Sequence, residues 1–212
     1  ARIKAESMEE SGKKEAIERT AKELFIQSVH QTAELIAEQL YSRYQYQRTA
    51  LARQFPFMMG NDVWKGGEKL APNDQVGDVL RQGTLGIGFI GGHNAMMALY
   101  GESHGHSRKA WDTLYEAVLE MNKVADDYKA KYQLNFSVLA TPAEGLSGRF
   151  TRMDRRKYGT IPGVTDNDYY VNSFHVDVKE SITIVDKIKR EAPFHAITRG
   201  GHITYVELDG EA

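Results

Sequence analysis

Leu134-Asn135-Phe136-Ser137-Val138-Leu139 runs straight into Ala140-Thr141-Pro142-Ala143-Glu144-Gly145-Leu146-Ser147-Gly148-Arg149-Phe150. The first part alternates apolar and polar side chains as a half-buried strand does. The second packs glycines, a proline and the hydroxyls of Thr141 and Ser147 into a turn ahead of a helix. Such a junction has two readings. It is an ordinary strand-to-helix turn, the commoner case, since Gly, Ser and Pro clusters mark turns everywhere. Alternatively it is a loop whose backbone N–H groups face an anion, with a helix N-terminus behind it. Glu144 favours the first, because a carboxylate inside a phosphate cradle repels unless it points away, binds a hydroxyl or caps the helix.

Outward from this junction, Ser107 caps a helix on which Trp111, Leu114, Val118, Met121, Ala125, Tyr128 and Tyr132 form a core stripe at three- and four-residue steps. A shorter helix spans 92–100 and stops at Gly101. Before it, Gly83 to Gly91 reads as a compact buried segment whose glycines allow close backbone approach. Its Gly-x-Gly pattern lacks the flanking βαβ unit and the later acidic residue that a dinucleotide site requires. Ser11 to about Gln47 reads as one long helix with Ile17, Ala21, Leu24, Phe25, Val29, Ala33, Ile36, Leu40 and Tyr44 on a face that needs a partner. Arg53 to Gly77 is irregular, an interface loop or a buried Ω-type loop, the latter being commoner.

Downstream, Thr151 to Tyr158 carries Arg152, Arg155, Arg156 and Lys157, a solvated basic face by default and a steering patch for a polyphosphate otherwise. Tyr158 to Asp168 is loop. Phe174, Val176 and Val178 alternate as a strand. Ser181 then starts a helix presenting Ile182, Ile184, Val185 and Ile188 that ends before Pro193, and His202 to Leu208 is a final strand. Helix and strand in alternation predict an α/β fold with parallel pairing. The chain divides into a long-helix region (1–54), an irregular region (55–82) and an α/β core (83–212).

The 27 basic and 29 acidic side chains leave a net charge of −2, which offers no global attraction to nucleic acid or to an anionic membrane. No apolar run approaches the roughly 20 residues that span a bilayer. The absence of cysteine excludes disulfides and thiolate metal sites within this chain. His104 and His106 form the one histidine cluster, read as a solvated loop because zinc wants at least three protein ligands. No metal site is expected. His175, His195 and His202 are read as hydrogen-bonding or packing residues without chemistry, and Asn172 and Ser173 as loop or strand-entry hydrogen-bonders.

Taken together, Gly83-Thr84-Leu85-Gly86-Ile87-Gly88-Phe89-Ile90-Gly91, Leu134 to Ser137 and Leu139 to Phe150 resemble the anaerobic (class III) ribonucleoside-triphosphate reductases, which are glycyl-radical enzymes. So do Ile161-Pro162-Gly163-Val164-Thr165-Asp166 with Tyr169-Tyr170, Asn172-Ser173-Phe174-His175-Val176, Glu191-Ala192-Pro193-Phe194-His195 and the stretch from Gly201 to Gly210. The order and spacing of these blocks make the resemblance specific from Gly83 to Gly210 and weak before it.

The resemblance implies a ten-stranded α/β barrel and a cytoplasmic oxidoreductase that makes deoxyribonucleotides for DNA replication without oxygen. It implies a glycyl radical installed by a radical-SAM activating enzyme, a zinc site, a substrate-attacking cysteine and a homodimeric whole protein. Because this chain holds no cysteine, it is expected to be part of the catalytic barrel, inactive alone, with no catalytic residue and no cofactor of its own. The junction after Leu139 resembles the Thr- and Ser-rich loop at which ribonucleotide reductases hold substrate phosphates. Thr141, Ala143, Glu144, Gly145, Leu146 and Ser147 are therefore expected to line the site for a ribonucleoside triphosphate. The alternative is a stand-alone, noncatalytic α/β module that binds a phosphate ligand or a protein partner.

Overall fold

The computed structural model describes residues 14–207. Six α-helices and two strands lie along them: α1 (Lys14–Gln47), α2 (Pro56–Gly60), β1 (Thr84–Phe89), α3 (Gly92–Tyr100), α4 (Arg108–Tyr132), β2 (Asn135–Ala140), α5 (Glu144–Tyr158) and α6 (Ile184–His195). The expected start of the first helix at Ser11 and the end of the last strand at Leu208 fall outside the described residues. The fold is α/β with a small parallel sheet.

Strands β1 and β2 pair parallel, Thr84 opposite Asn135 through Phe89 opposite Ala140. Period-two alternation puts Leu85, Ile87 and Phe89 with Phe136, Val138 and Ala140 on one face. There they meet α1 and α4 in a core that includes Ala21, Ala33, Leu114, Val118, Val124 and Ala125. The partner that the long helix required is α4: Tyr41 stacks on Tyr132 at 3.7 Å. Along the same seam Tyr128 donates to Glu38 at 2.8 Å and Lys22 meets Glu116 at 2.6 Å. The opposite sheet face carries Gly86, Gly88, Ser137 and Leu139. A Cβ on Gly88 would lie 1.9 Å from the Thr141 hydroxyl, so the chain leaving β2 folds back onto β1 only because position 88 has no side chain.

The short helix and its Gly101 stop stand where the spacing put them, with Gly101 at φ 71° and its N–H on the Met97 carbonyl. Residues 50–77 close on themselves through Ala52 N–H to Asp74 O and Val76 N–H to Ala50 O, both 2.8 Å, but the segment is mostly exposed and holds short helical turns, so it is not the buried Ω-type loop expected.

Three expectations downstream are corrected. Residues 174–178 are no strand, although Phe174 and Val176 are buried. Their backbone groups are taken by buried side chains instead of a neighbouring strand: His104 Nε2 bonds the Phe174 carbonyl at 2.7 Å, the Val176 N–H donates to Glu191 Oε1 at 2.9 Å, and Lys187 Nζ donates to the Val176 carbonyl at 2.9 Å. Residues 202–207 also form no strand. Only Gly201 bridges Leu139, parallel, at the free edge of β2. Helix α6 starts at Ile184, capped by Thr183 Oγ1 accepting from Asp186 N–H at 3.1 Å, and runs through Pro193 to His195. The backbone bond lost at Pro193 is offset by Phe194, fully buried against Trp111, Tyr115 and Phe174, and by Trp111 Nε1 donating to the Arg190 carbonyl at 2.8 Å. The buried face of α6 holds Lys187, Glu191 and Phe194, whereas Ile184, Val185 and Ile188 are exposed.

His104 overturns the solvated-loop reading. It is fully buried, and burial pushes its imidazole down to about 4, against which the hydrogen bond to Phe174 and nearby Glu191 pull weakly upward. His106 is exposed and bonds Glu180 at 3.0 Å. Among the described residues no group of three or more His, Asp or Glu side chains is arranged to hold a metal ion, and no helix is long and apolar enough to cross a membrane. The folded chain binds fewer protons at His104 than the unfolded chain between its pKa near 4 and the ordinary 6.5. Stability is therefore full above about pH 6.5 and falls as pH drops toward 4, by about 3 kcal/mol in all. Denaturation midpoints at pH 7.5 and 4.5 should show a smaller acid loss in His104→Gln than in the parent chain; equal losses would contradict this.

Candidate functional site

The junction after β2 forms as strand, turn and helix. Thr141, Pro142 and Ala143 make the turn, and Glu144, Gly145 and Leu146 are the first three residues of α5. The preceding residue, Ala143, sits at φ −100° and ψ 65° and has no side chain able to cap. The first N–H groups of a helix have no acceptor inside it. A Ser, Thr, Asp or Asn at the cap would consume one of them, and Ala143 does not. Glu144, Gly145 and Leu146 are exposed, and among the described residues no acceptor pairs with their N–H groups, which lie at the positive end of the helix dipole.

The hydroxyls are used differently from the expectation. Ser147 is buried and its Oγ donates to the Glu144 carbonyl at 3.0 Å, while Thr141 lies over Gly88 with its Oγ1 3.5 Å from the Leu139 carbonyl. The Ala143 N–H donates to Asn172 Oδ1 at 3.1 Å. Of the six expected residues, three offer backbone donors with no acceptor among the described residues (Glu144, Gly145, Leu146), Thr141 and Ala143 build the turn, and Ser147 braces the first turn of α5.

Beside this helix end lies a cavity of about 230 Å³ lined by Glu144, Ser147, Asn172, His175, Lys187 and Tyr205, among others. Beneath it is a buried ionic cluster. Glu191, fully buried, accepts from Lys187 Nζ at 2.5 Å, from the Val176 N–H at 2.9 Å and from His175 Nδ1 at 3.2 Å. Burial alone would raise the Glu191 carboxyl. The bonds from His175, Lys187 and Val176 outweigh it and hold the group below the ordinary carboxylate range. His195 stacks on His202 at 4.0 Å and is pushed down by burial and by that neighbour. These two histidines pack, as read from the sequence.

The basic run of α5 divides. Arg155 bonds the carbonyls of Thr165 and Asn167, fastening the following loop, and Arg152, Arg156 and Lys157 are exposed. Asn172 is the hydrogen-bonder that the sequence suggested, though its partner Ala143 was not foreseen, and Lys187 and Glu191 are the residues that sequence reasoning missed at this end of the sheet. The one signal for the last two was their spacing of four on a helix.

A sequence model described as anaerobic ribonucleoside-triphosphate reductase matches residues 13–212. The anaerobic ribonucleoside-triphosphate reductase of Enterobacteria phage T4 is 34% identical over 186 residues, covering 87% of this chain and 29% of the relative. That of Escherichia coli (strain K12) is 36% identical over 144 residues, covering 66% of this chain and 20% of the relative. In fold, the chain is similar to the anaerobic ribonucleotide reductase from Thermotoga maritima, solved with glycerol in the active site, with TM-score 0.59 and 15% identity over 90% of this chain and 29% of that one. The chain spans less than a third of the length of these relatives. With nearly all of its residues inside the matched region, it belongs to the anaerobic ribonucleoside-triphosphate reductase family.

Proposed function

We propose that this chain is the part of the catalytic barrel of an anaerobic ribonucleoside-triphosphate reductase that holds the substrate by its phosphates. The observation that carries the proposal is the uncapped N-terminus of α5 at the carboxyl end of a parallel strand, where open α/β sheets bind ligands. Three N–H groups with no acceptor among the described residues, together with the helix dipole, suit a phosphate without a dedicated cation. Glu144 belongs in this reading on the ribose side, where its carboxylate accepts from a hydroxyl. Family membership supports the reading, as does the parallel β1–β2 pair, continued at its edge by Gly201, which we take as neighbouring strands of a ten-stranded barrel.

In this proposal the cysteines, the zinc site and the radical-bearing glycine belong to the rest of a cytoplasmic homodimer activated by a radical-SAM enzyme. There the glycine radical would be relayed to a cysteine, whose thiyl form would take the hydrogen from the ribose. The residues here supply position, and a misplacement of about 1 Å costs on the order of a hundredfold in rate.

A direct consequence concerns the isolated chain. With no cysteine to carry the thiyl radical, the 212-residue chain should reduce no ribonucleotide even with the activating enzyme and a reductant under anaerobic conditions. Deoxyribonucleotide formation by this chain alone would refute the assignment of the chemistry to the rest of the protein.

A further inference from the structure

We infer that Asn172 is a positioning residue for the substrate, a cap supplied from outside the helix that holds the α5 turn rigid while leaving its first N–H groups free. The inference rests on the reading of that helix end as the phosphate seat.

A helix end faces two conflicting demands if it is to bind an anion. Left uncapped it frays, and capped in the ordinary way it spends a donor at the second or third helical position. Here the cap residue is Ala143, whose carbonyl accepts from the Ser147 N–H at 3.0 Å. Its N–H goes to Asn172 Oδ1 at 3.1 Å. Both peptide groups of Ala143 are therefore fixed, and among the described residues none of the three N–H groups that follow is consumed.

Asn172 itself is held from several directions. It bridges Ile90 in antiparallel fashion, flanked by Gly91 N–H to Val171 O at 2.7 Å and Gly92 N–H to Ser173 O at 3.0 Å. Asn94 Oδ1 accepts from the Val171 N–H at 2.8 Å. The extended segment of residues 171–178, a strap across this end of the sheet, runs so close to the chain at Gly92 that a Cβ there would sit 2.5 Å from the Ser173 carbonyl oxygen. Four residues after Asn172, the strap is anchored again where the Val176 N–H meets buried Glu191. Asn172 thus ties the end of β1 to the start of α5, so that both sides of the carboxyl end of the sheet move together.

The test is made in the complete, activated reductase. Asn172→Ala should raise KM for a ribonucleoside triphosphate five- to tenfold, as expected for one lost hydrogen bond, with kcat within about threefold of the parent. The amides of residues 143–146 should exchange hydrogen faster, and glycyl-radical content should be unchanged. Asn172→Asp keeps the acceptor, so its amide exchange should match the parent even where the added charge weakens nucleotide binding. If the alanine variant does not fold, Asn172→Ser, too short to reach Ala143, carries the same expectation. Unchanged KM and exchange in a folded Ala or Ser variant, or exchange in the Asp variant as fast as in Ala, would overturn the inference. Gly145→Pro separates the two claims: if it raises KM while Asn172→Ala does not, the positioning role alone fails. If neither moves KM, the phosphate seat fails first.

Discussion

Gly145→Pro in the complete reductase should raise KM for ribonucleoside triphosphates by between tenfold and a hundredfold, because one hydrogen bond to a charged group is worth about 1.5–3 kcal/mol. Gly145 is the second residue of α5, within the first turn, where the lost N–H has no acceptor in the helix, although the ring also disfavours the helical conformation of Glu144 before it. Nothing lies within 4 Å of a Cβ placed there. Gly145→Ala keeps the N–H and should bind substrate like the parent. Ser147→Ala should be milder than Gly145→Pro, since the Ser147 hydroxyl donates to the Glu144 carbonyl and not toward the outward face. Equal KM values for Pro and Ala at position 145, both proteins folded, would leave the helix end without a role in substrate binding.

Glu191→Leu should cost about 3–5 kcal/mol of stability, read from the urea midpoint of this chain at neutral pH, the usual penalty for removing one partner of a buried ion pair. The substitution strands the Lys187 ammonium, leaves His175 without its acceptor and frees the Val176 N–H. Replacing both charges, as Lys187→Met with Glu191→Leu, should recover part of the loss, because the unpaired buried cation is then gone. The sign with pH follows from the depressed Glu191 pKa: the contribution is present above the unfolded carboxylate pKa and is lost as pH falls through the lower folded value. A loss under about 1 kcal/mol in the single variant would mean that water reaches the cluster.

The two results probe parts of the molecule that were unequally legible in the sequence. The helices α1, α3 and α4 could be read because their apolar residues recur at helical spacing and meet apolar partners, and Gly101 ends α3 by a local conformational rule. Strand β2 could be read because one of its faces packs on α1 and α4. The strap from Val171 to Val178 could not. Its alternation of Phe174, Val176 and Val178 imitates a strand, yet its hydrogen bonds go to His104, Lys187 and Glu191, which lie far from it in sequence. Helix α6 misled for the same reason: its isoleucines look like a buried face, while the buried positions are held by a lysine and a glutamate serving the strap.

The candidate site shows the same division. The turn and the helix start at 144–147 are local and were visible in the residues themselves. Asn172, 29 residues beyond Ala143, is joined to it only by the fold, and no spacing rule announces such a cap. The inward orientation of the Thr141 and Ser147 hydroxyls was also invisible, being set by Gly88 on the neighbouring strand and by the first turn of α5.

The most direct measurement is a crystal structure of the complete reductase with a ribonucleoside triphosphate bound. Phosphate oxygens should lie about 3 Å from the backbone nitrogens of Glu144, Gly145 and Leu146, the ordinary reach of an N–H···O bond. Phosphates held elsewhere, with these three N–H groups facing water, would contradict the account.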